Sequence, residues 1–213
     1  MSSPAAAGAA AAADAAGSAA AGSGAPEGSL RDEAHSVEVV DSEVALAGRV
    51  WNIRRERLTY GDQTIVREFM EHPGAVAVLA VDDEERVLVI QQYRHPIRMR
   101  DWEMPAGLLD VEGEDPLEAA RRELAEEVDL RAEHWEPLIT MYTSPGGSNE
   151  VIQVFLARGL SSTETFVRDA EEADIVSRWV ALDEAVDAVL DGRIRNGILM
   201  AAVLAAHARR TRA

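Results

Sequence analysis

Between Pro116 and Val128 only a helix makes sense of the residue order. Leu117, Ala120, Leu124 and Val128 recur at spacings of three and four, which lines them up on one stripe of an α-helix. Asp115 stands before them as an N-cap, and Pro116 suits the first helical position, where no N–H is needed. The same geometry gathers Glu123 and Glu127, four apart, on another face with Glu126 alongside. Like charges at that spacing repel, so something cationic is expected among them. Arg122, four residues before Glu126 and four after Glu118, can pair within the helix and orient a carboxylate.

A solvated charged face is the ordinary meaning of such a run. The preceding loop shifts the balance, because Gly107 and Gly113 lie where backbone must turn sharply or approach a ligand closely, and carbonyl oxygens there can ligate metal. Hard divalent cations such as Mg²⁺ or Mn²⁺ prefer oxygen ligands, with substrate phosphates completing the shell. The chain's totals agree. With 38 acidic against 21 basic residues and a net charge of −17, it is a poor match for nucleic acid or anionic lipid, and a phosphate ligand needs a metal. With no cysteine, the chemistry rests on carboxylates, histidines or hydroxyls. The absence of lysine and the abundance of alanine carry no functional reading.

Residues 1–34 are mostly Ala, Gly, Ser and Pro and read as a disordered tail. They lack the basic and apolar regions of a targeting signal, which favours a cytoplasmic location. Residues 35–72 form an N-terminal antiparallel β region, with strands at Val37 to Val40, Val50 to Leu58 and Thr64 to Met70 and a turn at Tyr60-Gly61-Asp62. The remainder, 73–213, is expected to be the catalytic domain. Gly74 to Val81 and Val87 to Tyr93 flank a charged turn and predict a hairpin through the core. Further strands are expected near Trp135 to Tyr142, Glu150 to Leu156 and Ile175 to Leu182, then helices over Asp183 to Leu190 and Asn196 to Arg209. Gly197 to Ala206 is too short to span a bilayer and predicts a buried helix face. Strands both in hairpins and interleaved with helices indicate an α/β (α+β) fold, a mixed sheet between helices.

The run from Gly107 through Glu114, Arg122, Glu123, Glu126 and Glu127 resembles the Nudix box of Nudix hydrolases, G-x5-E-x7-R-E-U-x-E-E-x-G-U, U being bulky and aliphatic. Five fixed positions at about one in fifteen each coincide by chance about once in a million starts. Two departures stand out: six residues rather than five separate Gly107 from Glu114, and Asp129 replaces the second glycine. That position ends the helix and favours a left-handed backbone, so strain is expected there, with the metal ligands intact. The resemblance implies the Nudix fold, a pyrophosphate-cleaving activity and two or three Mg²⁺ or Mn²⁺ ions. It assigns those ions to the Ala106 carbonyl, Glu123 and Glu127, with Glu126 close by, and a supporting role to Arg122.

Pro145, sixteen residues beyond Asp129, resembles the mark of the ADP-ribose pyrophosphatase branch. Gly74 to Val78, Gln92-Tyr93-Arg94 and Trp102-Glu103-Met104-Pro105-Ala106-Gly107 are similar to that branch in order and spacing. The branch implies ADP-ribose as substrate, with AMP and ribose 5-phosphate as products, and a homodimer. It makes Arg94 a diphosphate ligand, the alternative being an ordinary surface arginine. Arg67 and Glu68 fall where the branch reaches substrate across its dimer interface, and Pro145, Gly146 and Gly107 join the substrate-binding set. On residue statistics alone, Glu171 and Glu172 belong to a solvated acidic loop; the resemblance implies that Glu172, with Glu171 next, is the base or a further metal ligand. His95, His134 and His207 are expected to be structural or superficial. Another nucleoside diphosphate derivative is the alternative substrate class: a sugar nucleotide, a dinucleoside polyphosphate or NADH. A non-catalytic nucleotide sensor is disfavoured, since the carboxylates are complete and the acidic balance suits no DNA-binding module.

Overall fold

The computed structural model describes residues 30–166 and 174–212. They divide into two compact units, one up to Pro73 together with Ser144–Glu150, the other Gly74–Thr143 with the residues from Val151 onward.

In the first unit, β1 (Val39–Leu46), β2 (Asn52–Tyr60) and β3 (Gln63–Glu71) form an antiparallel sheet in that order. A two-residue turn joins β2 to β3, and Gly61 supplies the positive φ of 59° that such a turn needs. Few side chains here are buried, and the ladder is laced by ion pairs. Arg55 bridges Glu68 on β3 and Glu43 on β1, while Arg54 reaches Glu71. The segment Ser144–Glu150 is tied to the end of β3, with the Met70 N–H donating to the Gly147 carbonyl at 2.8 Å.

The second unit is built around β4 (Ala75–Ala80), which is buried along its whole length. Alternate residues of a strand point to opposite faces. Ala75, Ala77 and Leu79 accordingly join one core with Leu199, Ala202 and Val203, whereas Val76, Val78 and Ala80 join another with Ala119, Ala120 and Leu124. A strand buried on both faces requires a cover on each. Helix α1 (Pro116–Val128) supplies one, and α2 (Leu182–Leu190) and α3 (Gly197–Arg210) the other. This is the mixed sheet between helices that the pattern of elements indicates. In the four-stranded sheet the order is β7 (Ala106–Leu108), β4, β9 (Val151–Ser162), β8 (Leu130–Tyr142), with β4 and β9 parallel and the other pairs antiparallel.

The expected hairpin of β4 with β5 (Arg86–Arg94) does not form. Apart from one bridge between Val81 and Val87, β5 pairs instead with β10 (Val176–Ala181) and β6 (Met99–Glu103) in a separate three-stranded sheet. The charged turn does close, with Asp82 Oδ1 accepting the Arg86 N–H at 2.8 Å. The edges of β4 are taken by β7 and β9, so none remains for β5. β8 and β9 also run longer than their apolar cores predict, because they pair from Leu130–Ser162 to Tyr142–Val151 and carry polar residues outward.

Asp115 caps α1, its side chain accepting the Leu117 N–H at 2.8 Å. Asn196 caps α3 through the N–H groups of Ile198 and Leu199. At the C-terminus of α1, Asp129 adopts the left-handed conformation expected there, φ 56° and ψ 35°. Its carboxylate offsets that strain by accepting the Phe166 N–H at 2.9 Å, and its carbonyl accepts the Thr163 N–H at 2.9 Å. Asp129→Ala forces a Cβ residue without a helpful side chain into left-handed backbone. Asp129→Gly loses the same side-chain bond but takes that conformation freely. In thermal denaturation the glycine variant is expected to be the more stable of the two by about 1 kcal/mol. The opposite order would show that backbone conformation does not decide the residue at this cap.

Candidate active site

Helix α1 packs on β4, and β7 pairs with β4 in the register Val76–Gly107 and Ala77–Ala106. One strand therefore indexes both halves of the acidic motif. Glu127 is buried, with 7% of its surface exposed, and its Oε2 accepts the Ala106 N–H at 3.0 Å. A buried carboxylate needs such a partner, and this one fixes the helix against the backbone of β7. Glu123 lies over Gly107 so closely that a Cβ added there would come within 2.0 Å of its carboxylate. Of the two roles open to Gly107, close approach is the one it fills. Gly113, with φ 79°, fills the other as a turn residue.

Arg122 sits among the acids. Its Nε and Nη2 grip both oxygens of Glu114 at 3.1 and 3.0 Å, while Nη1 donates to Glu123 at 2.5 Å and Glu126 at 3.2 Å. The pairing with Glu118 that helical spacing allowed is not formed; Glu118 meets Arg121 at 3.4 Å instead. Three carboxylates on the loop side outweigh one exposed glutamate on the other. The Glu114 hydrogen bond, reinforced by Glu123, raises the Arg122 pKa far beyond its ordinary value, and the same hydrogen bond holds the Glu114 carboxyl below the usual range. Glu114 thus returns to its partner despite the additional loop residue, which a turn from Val111 to Glu114 absorbs.

The carboxylates are graded in exposure. Glu127 is deepest, Glu123 keeps 13% of its side chain accessible and Glu126 keeps 42%. Among the described residues no group of three or more acidic or imidazole side chains is placed so that protein side chains alone could hold a metal ion. An open set of hard oxygens, two or three carboxylates beside a backbone carbonyl, suits Mg²⁺ or Mn²⁺ whose remaining positions go to phosphate and water. The glycine cradle under Glu123 and the backbone hold on Glu127 fit that use.

Arg94, on β5, is gripped by Glu103 on β6: Nε donates to Oε1 at 2.7 Å and Nη2 to Oε2 at 2.6 Å. Glu103 received no role from the sequence, although it stands inside the Trp102 to Gly107 motif. Its signal was an acidic residue set between the apolar Trp102 and Met104. Arg67, Glu68, Pro145 and Gly146 all belong to the first unit, with Arg67 donating to the Val66 carbonyl and Glu68 paired to Arg55. Glu171 and Glu172 lie outside the described residues. His95 meets the Tyr93 hydroxyl at 3.1 Å and His207 meets Asp183 at 3.5 Å.

The NUDIX domain profile matches residues 70–202. The chain belongs to the Nudix family. An ADP-ribose pyrophosphatase of Mycobacterium tuberculosis is 43% identical over 175 residues, covering 82% of this chain and 84% of that protein. A methanol dehydrogenase activator of Bacillus methanolicus is 36% identical over 167 residues, covering 78% of this chain and 90% of that protein. The crystal structure of an ADP compounds hydrolase superposes with a TM-score of 0.70 at 20% identity, over 83% of this chain and 95% of the other, and shares the fold. Divalent-metal dependence is general to Nudix hydrolases.

Gly107→Ala tests the cradle of this Nudix site. The colliding atoms, Cγ, Cδ and Oε1 of Glu123, all belong to a side chain rather than to backbone, so the clash is relieved by moving that carboxylate. The fold and melting temperature are expected to stay close to wild type while turnover falls about 100-fold, the scale of a 1 Å misplacement. Wild-type turnover in a folded Gly107→Ala protein would show that the position of Glu123 does not matter.

Proposed function

We propose that this Nudix chain hydrolyses the pyrophosphate bond of ADP-ribose to AMP and ribose 5-phosphate. The observation that supports the pyrophosphate chemistry is the joining of Glu127 to the Ala106 N–H and of Glu123 to Gly107, which brings two carboxylates to one stretch of β7. The choice of ADP-ribose is supported by the relative from Mycobacterium tuberculosis together with Pro145 and the flanking motifs. Glu123, Glu127 and the Ala106 carbonyl, with Glu126 at the rim, would hold two or three Mg²⁺ or Mn²⁺ ions. Bound there, the ions neutralise the diphosphate and polarise its phosphorus centres.

The chain's own groups do the rest. Arg122 orients Glu123 and Glu126, and its grip on Glu114 fixes the loop. Arg94 contacts the diphosphate as a fixed cation. Water adds to one phosphorus as the bridging P–O bond breaks, and its proton passes to Glu172, or to Glu171, by the family's pattern. Substrate contacts from Arg67, Glu68, Pro145, Gly146 and Gly107 are part of the same reading. So are a cytoplasmic place of action and a homodimer, the latter supported by the exposed Val39, Val40, Val44 and Leu46 of β1. Among the described residues, no helix is long and apolar enough to cross a membrane.

Incubation of the protein with ADP-ribose and Mg²⁺ in ¹⁸O-labelled water is expected to yield AMP and ribose 5-phosphate, with the label on one of them marking the attacked phosphorus. Chelation should stop the reaction, and Glu127→Gln should abolish most turnover without loss of fold. Full activity in that variant would defeat the metal assignment. Faster cleavage of a sugar nucleotide, a dinucleoside polyphosphate or NADH in the same assay would move the substrate within the family.

A further inference from the structure

Among the described residues, the polar or charged ones buried as whole residues are Gln92, Glu103 and Glu127. Glu127 is accounted for by Ala106. The other two meet each other, with Gln92 Nε2 3.5 Å from Glu103 Oε2. Gln92 and Arg94, two apart on β5, share a face, and β6 runs antiparallel beside them with Glu103 opposite Ile90. One carboxylate therefore collects both polar members of Gln92-Tyr93-Arg94.

The pairing with Arg94 is two-pronged. Both carboxylate oxygens are engaged, at 2.7 and 2.6 Å, which aligns the guanidinium with the carboxylate plane and removes its rotational freedom. The Glu103 side chain keeps only 8% of its surface accessible, whereas Arg94 keeps 44%. The anchor is thus buried while the guanidinium remains reachable by a ligand. A guanidinium carries five N–H donors in a fixed planar fork, so a carboxylate that grips two of them sets the direction of the others. Glu103 also closes β6 just before Pro105, whose carbonyl accepts the Val78 N–H at 2.8 Å, so its backbone is fixed to the same β4 that indexes Ala106.

We propose that Glu103 is a positioning residue for hydrolysis, setting the plane in which Arg94 meets the substrate diphosphate. The inference rests on the role given to Arg94 in the proposed function. An arginine ordered before binding loses less side-chain entropy when substrate arrives, and its charge is directed where the diphosphate develops charge during bond breaking. Glutamine in place of Glu103 keeps the volume but presents an amide N–H₂ to one prong of the guanidinium, which breaks the paired grip. Arg94 then keeps its charge and loses its orientation.

The test is a double-variant cycle with ADP-ribose and Mg²⁺. Glu103→Gln is expected to lower kcat at least tenfold with a smaller change in KM, because binding charge persists while alignment is lost. Arg94→Ala should lower kcat/KM, and the double variant Glu103→Gln/Arg94→Ala should be no worse than Arg94→Ala alone. Losses that multiply in the double variant would overturn the proposal, since a merely structural glutamate acts independently of Arg94. Should Glu103→Gln not fold, Arg94→Lys provides the same test, because it keeps the charge and cannot form the two-pronged contact; wild-type kcat in that variant would overturn the proposal. Normal kinetics in Glu103→Gln beside an impaired Arg94→Ala would defeat the role of Glu103 alone. Normal kinetics in Arg94→Ala would defeat the diphosphate role of Arg94 as well.

Discussion

Strand β4 has no solvent face, and the second unit is arranged around satisfying that fact. Its even-numbered residues require one apolar cover and its odd-numbered residues another, which places α1 on one side and α2 with α3 on the other. Both strand edges are also taken, by β7 and β9. The helix that carries Glu123 and Glu127 and the strand that carries Ala106 and Gly107 are therefore both registered against one rigid element. A functional group built on packed elements is positioned more accurately than one built on a loop.

On this frame sits a concentration of negative charge in a chain that is already strongly acidic. It is tolerated because each carboxylate is met differently. Glu127 receives a backbone N–H, Glu114 receives both arms of Arg122, and Glu123 and Glu126 share the remaining nitrogen of the same guanidinium. A hydrogen bond to the charged form favours it, as the Arg122 guanidinium does for Glu114. Arg94 and Glu103 repeat the device, with the acid again more buried than the cation it grips, as Glu114 and Glu123 are beside Arg122.

Much of the site was legible because helical spacing is local. Glu123, Glu126 and Glu127 share a face whatever the rest of the chain does, and Asp115 and Asp129 cap the helix by rules that need only neighbouring residues. Strand partners were less legible. Periodicity marked β4 and β5 as apolar but could not say that β7 and β9 would occupy both edges of β4 and send β5 to another sheet. Nor could it choose between Glu118 and Glu114 for Arg122, since helical spacing offers the first and only the fold of the Gly113 loop brings up the second.

By itself, then, the sequence determined the acidic helix, its caps, its membership of a family that cleaves pyrophosphates and the need for a glycine at position 107. These follow from periods of a few residues and from a motif of fixed spacing. Tertiary structure decided that Gly107 is needed for the approach of Glu123 rather than for a turn, that the Ala106 N–H holds Glu127, and that Glu103 grips Arg94. Each of those contacts joins different elements of the chain. Hydrogen bonds and close packing act over a few ångströms, and only the folded sheets bring such residues within that range.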